Sequence, residues 1–187
     1  GLNAQLLNLS ASYRGAGIHR YIHQMLLILP AAAPRHRFVT FLNERRLAAA
    51  GLDVRFTRWA TQRPIARIVW EQTALPLATL TERLDLLHAL AFVRPIVSAC
   101  PVIITVYDLS FIRLPESFPP LKRFYLQTMT RYSARRAAKL IAISQSTKDD
   151  LVRFCGISPD KVVVTHIGID DAIRELPSRP EVEAFRA

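Results

Sequence analysis

The stretch Val102-Ile103-Ile104-Thr105-Val106 is continuously apolar or β-branched, and Tyr107-Asp108 follows it at once. A run of this kind is typical of a strand that is covered on both faces, as in a parallel sheet between layers of helices. Six further short runs alternate with helical patterns along the chain. This alternation predicts an α/β fold with a doubly wound, mostly parallel sheet flanked by helices.

The predicted strands cover residues 2–9, 37–42, 54–57, 86–89, 102–107, 140–144 and 162–166. The predicted helices cover residues 18–29, 44–50, 65–84, 121–138 and 147–154. Ligands of open parallel sheets bind outside the carboxyl ends of the strands. We therefore expect function in the loops that follow strands, at residues 10–17, 90–95, 108–120, 144–147 and 168–170.

The composition is basic: the 187 residues include 25 Lys and Arg against 15 Asp and Glu, a formal net charge of +10. Such an excess favours an anionic partner, which could be phosphate groups, nucleic acid, anionic lipid or an acidic protein surface. Half of the residues are hydrophobic, which excludes a disordered chain or a collagen-like repeat. Cys100 and Cys155 have no partner at metal-ligand spacing, so we expect reduced, buried thiols in a cytoplasmic protein.

A glycine-containing loop follows the first predicted strand and opens a helix. Gly15 and Gly17 would let the backbone approach a ligand closely, and the helix amino terminus favours an anion such as a diphosphate. Arg14 and Arg20 could add charge-assisted contacts. The alternative is a turn that only starts the helix. Arg20 also replaces the third glycine of a dinucleotide fingerprint, which disfavours a dinucleotide-dependent oxidoreductase.

Asp108 stands at the carboxyl end of the buried strand, where a carboxylate could hold a sugar hydroxyl or orient a reacting group. Alternatively, it could cap the following loop through an Asx-type bond. Ser146 is predicted to cap the next helix. His88 ends a strand and could face the cleft. His19 and His23 lie one helical turn apart without a third ligand, so no metal site is predicted.

The predicted helix over residues 121–138 carries a polar stripe with a four-residue repeat: Arg123, Gln127, Arg131 and Arg135. An apolar stripe accompanies it: Leu121, Tyr125, Met129 and Tyr132. The polar stripe could contact a membrane surface or an anionic ligand, and the alternative is a solvated outer face.

The motifs, taken in order, resemble the amino-terminal half of a family 4 glycosyltransferase with the GT-B fold. The resemblance covers nearly the whole chain, and its most specific stretch is the sequence from Val106 to Phe111 followed by Pro115-Glu116. Six other segments are similar to family motifs: the glycine loop of residues 15–21, Trp70-Glu71-Gln72 with Leu75-Pro76, Asp85-Leu86-Leu87-His88, residues 133–138, residues 143–147 and residues 168–170.

The resemblance implies a Rossmann-like domain over residues 1–170, with residues 171–187 as a linker and the start of a second domain. It implies a retaining transferase that takes a sugar from a nucleotide-diphosphate donor without a cofactor or bound metal. The family's E-x7-E motif belongs to the second domain, so we expect this chain alone to be inactive. The acceptor would be a glycan or a lipid-linked sugar.

Site roles also follow from the resemblance. Gly15, Gly17 and Arg20 would lie at the donor diphosphate, and Asp108 and Tyr107 near the reacting sugar. The family often has His at the position of Tyr107. The residues expected on the acceptor side of the cleft are His88, Ser144, Thr147 and Gly168.

The expected location is cytoplasmic, which leaves open a peripheral contact with the inner face of an anionic membrane. No nucleic-acid partner is expected from the resemblance. The alternative to an enzyme is a non-catalytic α/β module that binds anionic lipid or nucleic acid through its basic surface.

Overall fold

The computed structural model of the chain describes residues 1–9, 17–47 and 51–168. Its strands are β1 (Leu2–Asn3), β2 (Phe38–Leu42), β3 (Leu52–Phe56), β4 (Leu87–Ala89), β5 (Val102–Val106), β6 (Lys139–Ala142) and β7 (Val162–Val164). Its α-helices are α1 (Ile18–Ala32), α2 (Pro64–Gln72), α3 (Ala74–Thr81), α4 (Ser110–Arg113), α5 (Pro120–Arg136) and α6 (Gln145–Cys155). Two short 3₁₀ turns lie at Pro115–Ser117 and Pro159–Lys161.

The seven strands form one sheet in the order β3-β2-β1-β4-β5-β6-β7, and every neighbouring pair is parallel. Each predicted strand overlaps an observed one, and the predicted doubly wound α/β fold is confirmed. All seven carboxyl ends lie along the same edge of the sheet because the strands are parallel. We refer to this as the carboxyl edge.

Two hydrophobic clusters cover the two faces of the sheet. Helix α1 packs Tyr21, Ile22 and Leu26 into one of them. Helices α2, α3, α5 and α6 pack into the other. Phe41 and Leu42 are neighbours on β2 and belong to different clusters, as the alternation of side chains along a strand requires. Both faces of the sheet are therefore covered, which is why the strands read as continuous apolar runs.

The first strand is shorter than the predicted 2–9. Asn3 ends it, since its side chain Oδ1 accepts a hydrogen bond from the backbone N–H of Gln5 at 3.4 Å. The N–H of Leu7 then bonds back to the carbonyl of Ala4 at 2.9 Å and closes a turn. The chain thus leaves the sheet with Gln5 buried at the carboxyl edge.

The predicted helix over 65–84 divides into α2 and α3 at Thr73. Pro76 has no N–H with which to continue the α2 hydrogen bonds, so the second helix begins afresh. The predicted helix over 44–50 is wrong in the part that the structure describes, because residues 44–47 form a turn. The Glu44 carboxylate accepts the N–H of Arg46 at 3.1 Å, and such a local bond competes with helix formation.

Candidate functional site

A pocket of about 410 Å³ opens at the carboxyl edge, on the side of β1, β2 and β3. Residues that follow these strands line most of it, together with one residue each from α1 and α2. Its lining consists of Gln5, Leu6, Leu7, Asn8, His19, Asn43, Glu44, Arg46, Thr61, Gln62 and Arg67. Sequence reasoning did not find this pocket, although polar residues directly after β1 and β2 are a signal that could have pointed to it.

Three neutral polar side chains form a chain of hydrogen bonds along one wall of the pocket. Asn43 Nδ2 donates to Thr61 Oγ1 at 2.8 Å, and Thr61 Oγ1 donates to Gln5 Oε1 at 2.6 Å. Gln5 and Thr61 are buried, with 4% and 0% of their surface exposed. The buried Nε2 of Gln5 has no hydrogen-bond partner among the described residues. A buried donor without a partner is costly, so this wall has capacity for a further acceptor.

Glu44 and Arg46 form an ion pair in the lining of the pocket. Glu44 Oε2 accepts the N–H of Leu9 at 3.2 Å and pairs with Arg46 Nη2 at 2.7 Å. The hydrogen bonds from Arg46 lower the pKa of the Glu44 carboxyl to about 2. Glu44 is therefore ionised at neutral pH, and its two oxygens already accept four hydrogen bonds, three from Arg46 and one from Leu9, which fix this part of the pocket wall.

Behind the pocket, Glu71 is buried and its Oε1 accepts a hydrogen bond from Asn3 Nδ2 at 3.2 Å. Burial raises the pKa of this carboxyl. Its neighbour Trp70 packs against Phe41 in the core, with ring centroids 6.0 Å apart. The side chain of Gln72 bonds to the backbone of Arg94 and Ile96. The Trp70-Glu71-Gln72 segment thus holds α2 against the sheet and the following loop.

Asp108 lies at the carboxyl end of β5 and is exposed. Its Oδ1 accepts the N–H of Ser110 at 2.8 Å, which is the Asx-type cap that was the alternative to a functional role. An exposed carboxylate can cap a loop through one oxygen and meet a ligand with the other. Its expected contact with the reacting sugar stays a prediction.

Tyr107 is buried, and its hydroxyl donates to the carbonyl of Leu90 at 2.6 Å. Its ring meets Tyr21 edge-on at 5.4 Å and tilts against Phe92 at 5.6 Å. Burial raises the pKa of the phenol. The structure thus shows Tyr107 packing α1 and the loop after β4 together, while its expected role at the reacting sugar stays a prediction.

His88 is buried within β4, and its Nε2 lies 2.8 Å from Thr105 Oγ1 on β5. Burial lowers the pKa of this imidazole to about 4, so the ring is neutral at neutral pH. The hydrogen bond joins two adjacent central strands. The expected role of His88 in the cleft stays a prediction.

The amino terminus of α6 is capped by Ser144, and the prediction that Ser146 is the cap is wrong. Ser144 is the last extended residue before the helix, and its Oγ accepts the N–H of Thr147 at 3.1 Å. Thr147 Oγ1 lies 3.0 Å from Ser144 Oγ and donates to the carbonyl of Tyr107 at 2.8 Å. These bonds tie the end of β6 to the end of β5. Acceptor contacts of Ser144 and Thr147 stay predictions.

The first turn of α1 meets the same edge. Gly17 precedes the helix with φ of 65°, a conformation that favours glycine, and no side chain caps the helix. Arg20 is exposed in the first turn. Gly15 and Arg14 lie outside the described residues, as does Asp170, whereas Gly168 is described and exposed. The predicted contacts of Gly15, Gly17 and Arg20 with the donor diphosphate stay predictions.

Each side chain of the polar stripe of α5 bonds to a neighbouring element, and Arg135 is also exposed to solvent, so contact of the stripe with a membrane surface or an anionic ligand stays a prediction. Gln127 Nε2 donates to the carbonyl of Phe111 at 2.9 Å. The other donors bond to carbonyls at 3.3 Å: Arg123 to Pro115, Arg131 to Phe154, and Arg135 to Cys155. Arginine donors at the last carbonyls of α6 complement its helix dipole. The stripe therefore holds α5 against α4 and α6.

Three other sequence predictions concern cysteines, metals and the membrane. Cys100 and Cys155 are both free and buried, as predicted. Within the described residues, no group of three His, Cys, Asp or Glu side chains is close enough to hold a metal ion. No helix in the described ranges combines the length and the apolar character that crossing a membrane requires.

The chain thus forms an α/β domain with a parallel sheet and a polar pocket at its carboxyl edge. The chain belongs to glycosyltransferase family 4, since the family model described as Glycosyltransferase Family 4 matches residues 15–173. None of the proteins with curated descriptions matches the sequence.

Solved structures of a glycosyltransferase-like fold are similar to the chain. HepE (Alr3699) from Anabaena in complex with UDP-glucose is 16% identical with a TM-score of 0.54. Its complex with UDP is 16% identical with a TM-score of 0.52. In both, the match covers 99% of this chain and 48% of HepE. The chain therefore spans about half the length of the solved structures it matches, and the likeness concerns the fold.

Proposed function

We propose that this chain is the acceptor-side domain of a retaining glycosyltransferase that moves a sugar from a nucleotide-diphosphate donor to a glycan or lipid-linked acceptor. Membership of family 4 supports the reaction class. The observation that carries the assignment to the acceptor side is the polar pocket beside β1 and β2. A domain of this kind, acting on a nucleotide sugar, is expected in the cytoplasm.

The pocket has the chemistry that a sugar requires. Sugar hydroxyls both donate and accept hydrogen bonds, and an amide side chain offers both functions in one group. Asn43 and Gln5 supply amides, and Thr61 holds the two in a fixed relation. The buried Nε2 of Gln5, which has no partner among the described residues, would donate to a hydroxyl of the acceptor. A few fixed polar groups in a concave site are what orients a small ligand.

The donor diphosphate would lie at the amino terminus of α1. The first turn of this helix has no acidic residue and no side-chain cap, so its N–H groups and dipole favour an anion. Gly17 would permit a close approach of the backbone to the diphosphate. The Arg20 side chain and the backbone N–H of Gly15 would donate hydrogen bonds to its charged oxygens. HepE was solved with UDP and with UDP-glucose, which makes UDP-glucose the first donor to test and UDP its matched ligand without a sugar.

The reacting sugar would lie against Asp108, whose carboxylate would accept a hydrogen bond from a sugar hydroxyl and orient the ring. Tyr107 would position the adjoining backbone through its bond to Leu90. His88, Ser144, Thr147 and Gly168 would complete the cleft. A second domain would supply the nucleotide site, so the 187-residue chain alone is expected not to turn over.

Amide NMR of the chain, titrated with simple glycosides and with UDP-glucose, tests the two proposed subsites separately. Glycosides are expected to shift the amides of Gln5, Asn43 and Thr61, whereas UDP-glucose is expected to shift those near Gly17. Radiolabelled sugar transfer by the full-length protein, and none by the chain, is the expected catalytic result. Transfer by the chain alone would contradict the expected inactivity. Glycoside shifts confined to other surfaces would contradict the acceptor pocket.

A further inference from the structure

An apolar ridge runs along the outward side of α2 and α3. Ile65 and Val69 on α2 are 78% and 42% exposed. Leu77 and Leu80 on α3 are 64% and 61% exposed. Exposed side chains that recur at intervals of three to four residues lie on one side of a helix. A single exposed leucine is ordinary, but a ridge of four large apolar side chains on one layer indicates a contact surface.

Helix α5 extends this ridge. Leu121 and Phe124, one turn apart, are 82% and 68% exposed, the most exposed large apolar pair on the helix. Burial raises the pKa of the Tyr125 phenol on α5 to about 12, and the charge of nearby Glu71 on α2 adds to this rise. The amino-terminal half of α5 is therefore adjacent to α2.

The loop between β4 and β5 joins the two helices into one surface. Gln72 at the end of α2 accepts the N–H of Ile96 at 2.8 Å. Tyr132 of α5 donates to the carbonyl of Ile96 at 3.3 Å. Between these anchors, the loop exposes 53% of Ile96 and 69% of Val97. We call this continuous surface of α2, α3, the loop and α5 the α2–α5 face.

The charge on this face has one sign. Helix α5 contains five basic residues and no acidic residue over 17 positions. Helix α3 has no charged residue, and the one acid of α2, Glu71, is buried. A second copy of the chain would bring like-charged helices together in a two-fold contact, which is unfavourable. An apolar centre with a cationic surround matches an anionic lipid surface.

The face also lies beside the candidate site. Helix α2 follows β3 and α5 follows β5, so Ile65 and Leu121 in their first turns stand near the carboxyl edge. We propose that the α2–α5 face docks on an anionic lipid bilayer, with Leu121 and Phe124 entering the interface and the exposed Lys122 and Arg136 at the headgroups. This docking is independent of the proposed transferase function, because it involves neither the pocket nor the donor loop.

Co-sedimentation with vesicles tests the docking. The probes are vesicles of phosphatidylcholine alone and of an equimolar mixture of phosphatidylcholine and phosphatidylglycerol. The chain is expected to bind the mixed vesicles and to dissociate as salt is raised. Leu121→Ser with Phe124→Ser is expected to weaken this binding about tenfold or more, because two apolar side chains no longer enter the interface. Lys122→Gln with Arg136→Gln is expected to weaken it about fivefold for each charge removed.

The matched control is Leu27→Ser with Ile28→Ser, which removes exposed apolar residues from α1 on the opposite face of the sheet. It is expected to leave vesicle binding unchanged. Circular dichroism checks that all variants keep the fold. The substituted side chains are exposed, so the fold is expected to persist. Equal binding by the Leu121/Phe124 variant and the control would overturn the proposal. A concentration-dependent dimer without vesicle binding, or capture by an acidic protein alone, would overturn it as well.

Discussion

The two halves of the carboxyl edge differ in how their polar groups are used. On the side of β5 and β6, the hydroxyls of Tyr107, Ser144 and Thr147 all bond within the protein, and Asp108 caps a loop. On the side of β1 and β2, the wall of the pocket still contains a buried amide nitrogen without a described partner at Gln5. The first half is held rigid, and the second has hydrogen-bonding capacity for a ligand.

This difference separates two kinds of residue in one site. Residues of the rigid half position backbone and loops, with Asp108 as the exposed exception. Residues of the pocket half offer groups that a neutral, hydroxyl-rich ligand could complete. Substitutions that remove one atom at a time distinguish the two kinds, because a structural bond changes stability and a ligand bond changes affinity or rate.

The largest effect is expected at Asp108. Asp108→Asn keeps an oxygen that can accept the N–H of Ser110, so the loop cap and the melting temperature should persist. In the full-length protein, kcat/KM is expected to fall about 100-fold, because the charged acceptor that we propose for the reacting sugar is gone. Steady-state kinetics and thermal melting of the same preparation measure kcat/KM and the melting temperature. Full activity in Asp108→Asn would show that Asp108 serves only to cap the loop, like the other structural residues of the rigid half.

His88 lies between the two halves and is expected to make stability depend on pH. Its pKa is lowered from 6.5 to about 4 in the folded protein, so only the unfolded chain takes up the proton between these values. The free energy of unfolding should therefore fall as pH drops from 6.5 to 4, by up to about 3 kcal/mol, and stay level with respect to this group below 4. Urea unfolding across this range measures the slope, and His88→Leu should reduce it. An unchanged slope in His88→Leu would show that His88 is not the group that makes stability depend on pH in this range.

Thr61→Val tests the wall of the pocket. The change removes the group that joins Gln5 to Asn43 and leaves their oxygen and nitrogen without this partner, at a cost of about 2 kcal/mol in the free energy of unfolding. The KM for the acceptor is also expected to rise about tenfold, because both amides lose their fixed orientation. Thr40→Val is the matched control: Thr40 is equally buried, and its hydroxyl has no partner among the described residues. The control should be neutral or stabilising. An equal loss in both variants would show that the Thr61 bonds contribute nothing specific.

The smallest effect is expected at the cap of α6. Ser144→Ala removes the acceptor for the N–H of Thr147 and should lower the free energy of unfolding by about 1 kcal/mol. Ser146→Ala, in the exposed first turn of the same helix, should change it by less than about 0.5 kcal/mol. Chemical unfolding of the two variants compares them directly. The opposite order would restore Ser146 as the cap.

Sequence patterns were sufficient for the sheet. Each of the seven strands was predictable because a strand buried on both faces requires a continuous apolar run, and that requirement is local to the strand. Helices α1, α5 and α6 were predictable from their own periodicity, whereas the short α4 was not predicted. The helix boundaries were less predictable. The expected helix over 65–84 is divided at Thr73 and Pro76, and the Glu44 side chain holds residues 44–47 in a turn where a helix was expected.

The site was predictable only in part. The position of Asp108 follows from the end of β5, which the sequence alone locates. The partners of Tyr107 do not, because Leu90 is 17 residues away and the bond depends on how β4 and β5 pair. The pocket combines Gln5, Asn43 and Thr61, which come from three segments and meet because of the strand order.

By itself, the sequence determined the class of fold, the common edge at which function should lie, and the resemblance to family 4. Tertiary structure decided which polar groups remain available there, since hydrogen-bond partners distant in sequence use most of them. It also decided the direction of α5. Arg131 and Arg135 donate to the carbonyls of Phe154 and Cys155 at the end of α6, and Gln127 donates to the carbonyl of Phe111 in α4. Consequently Leu121 and Phe124 face outward, a direction that periodicity alone cannot fix.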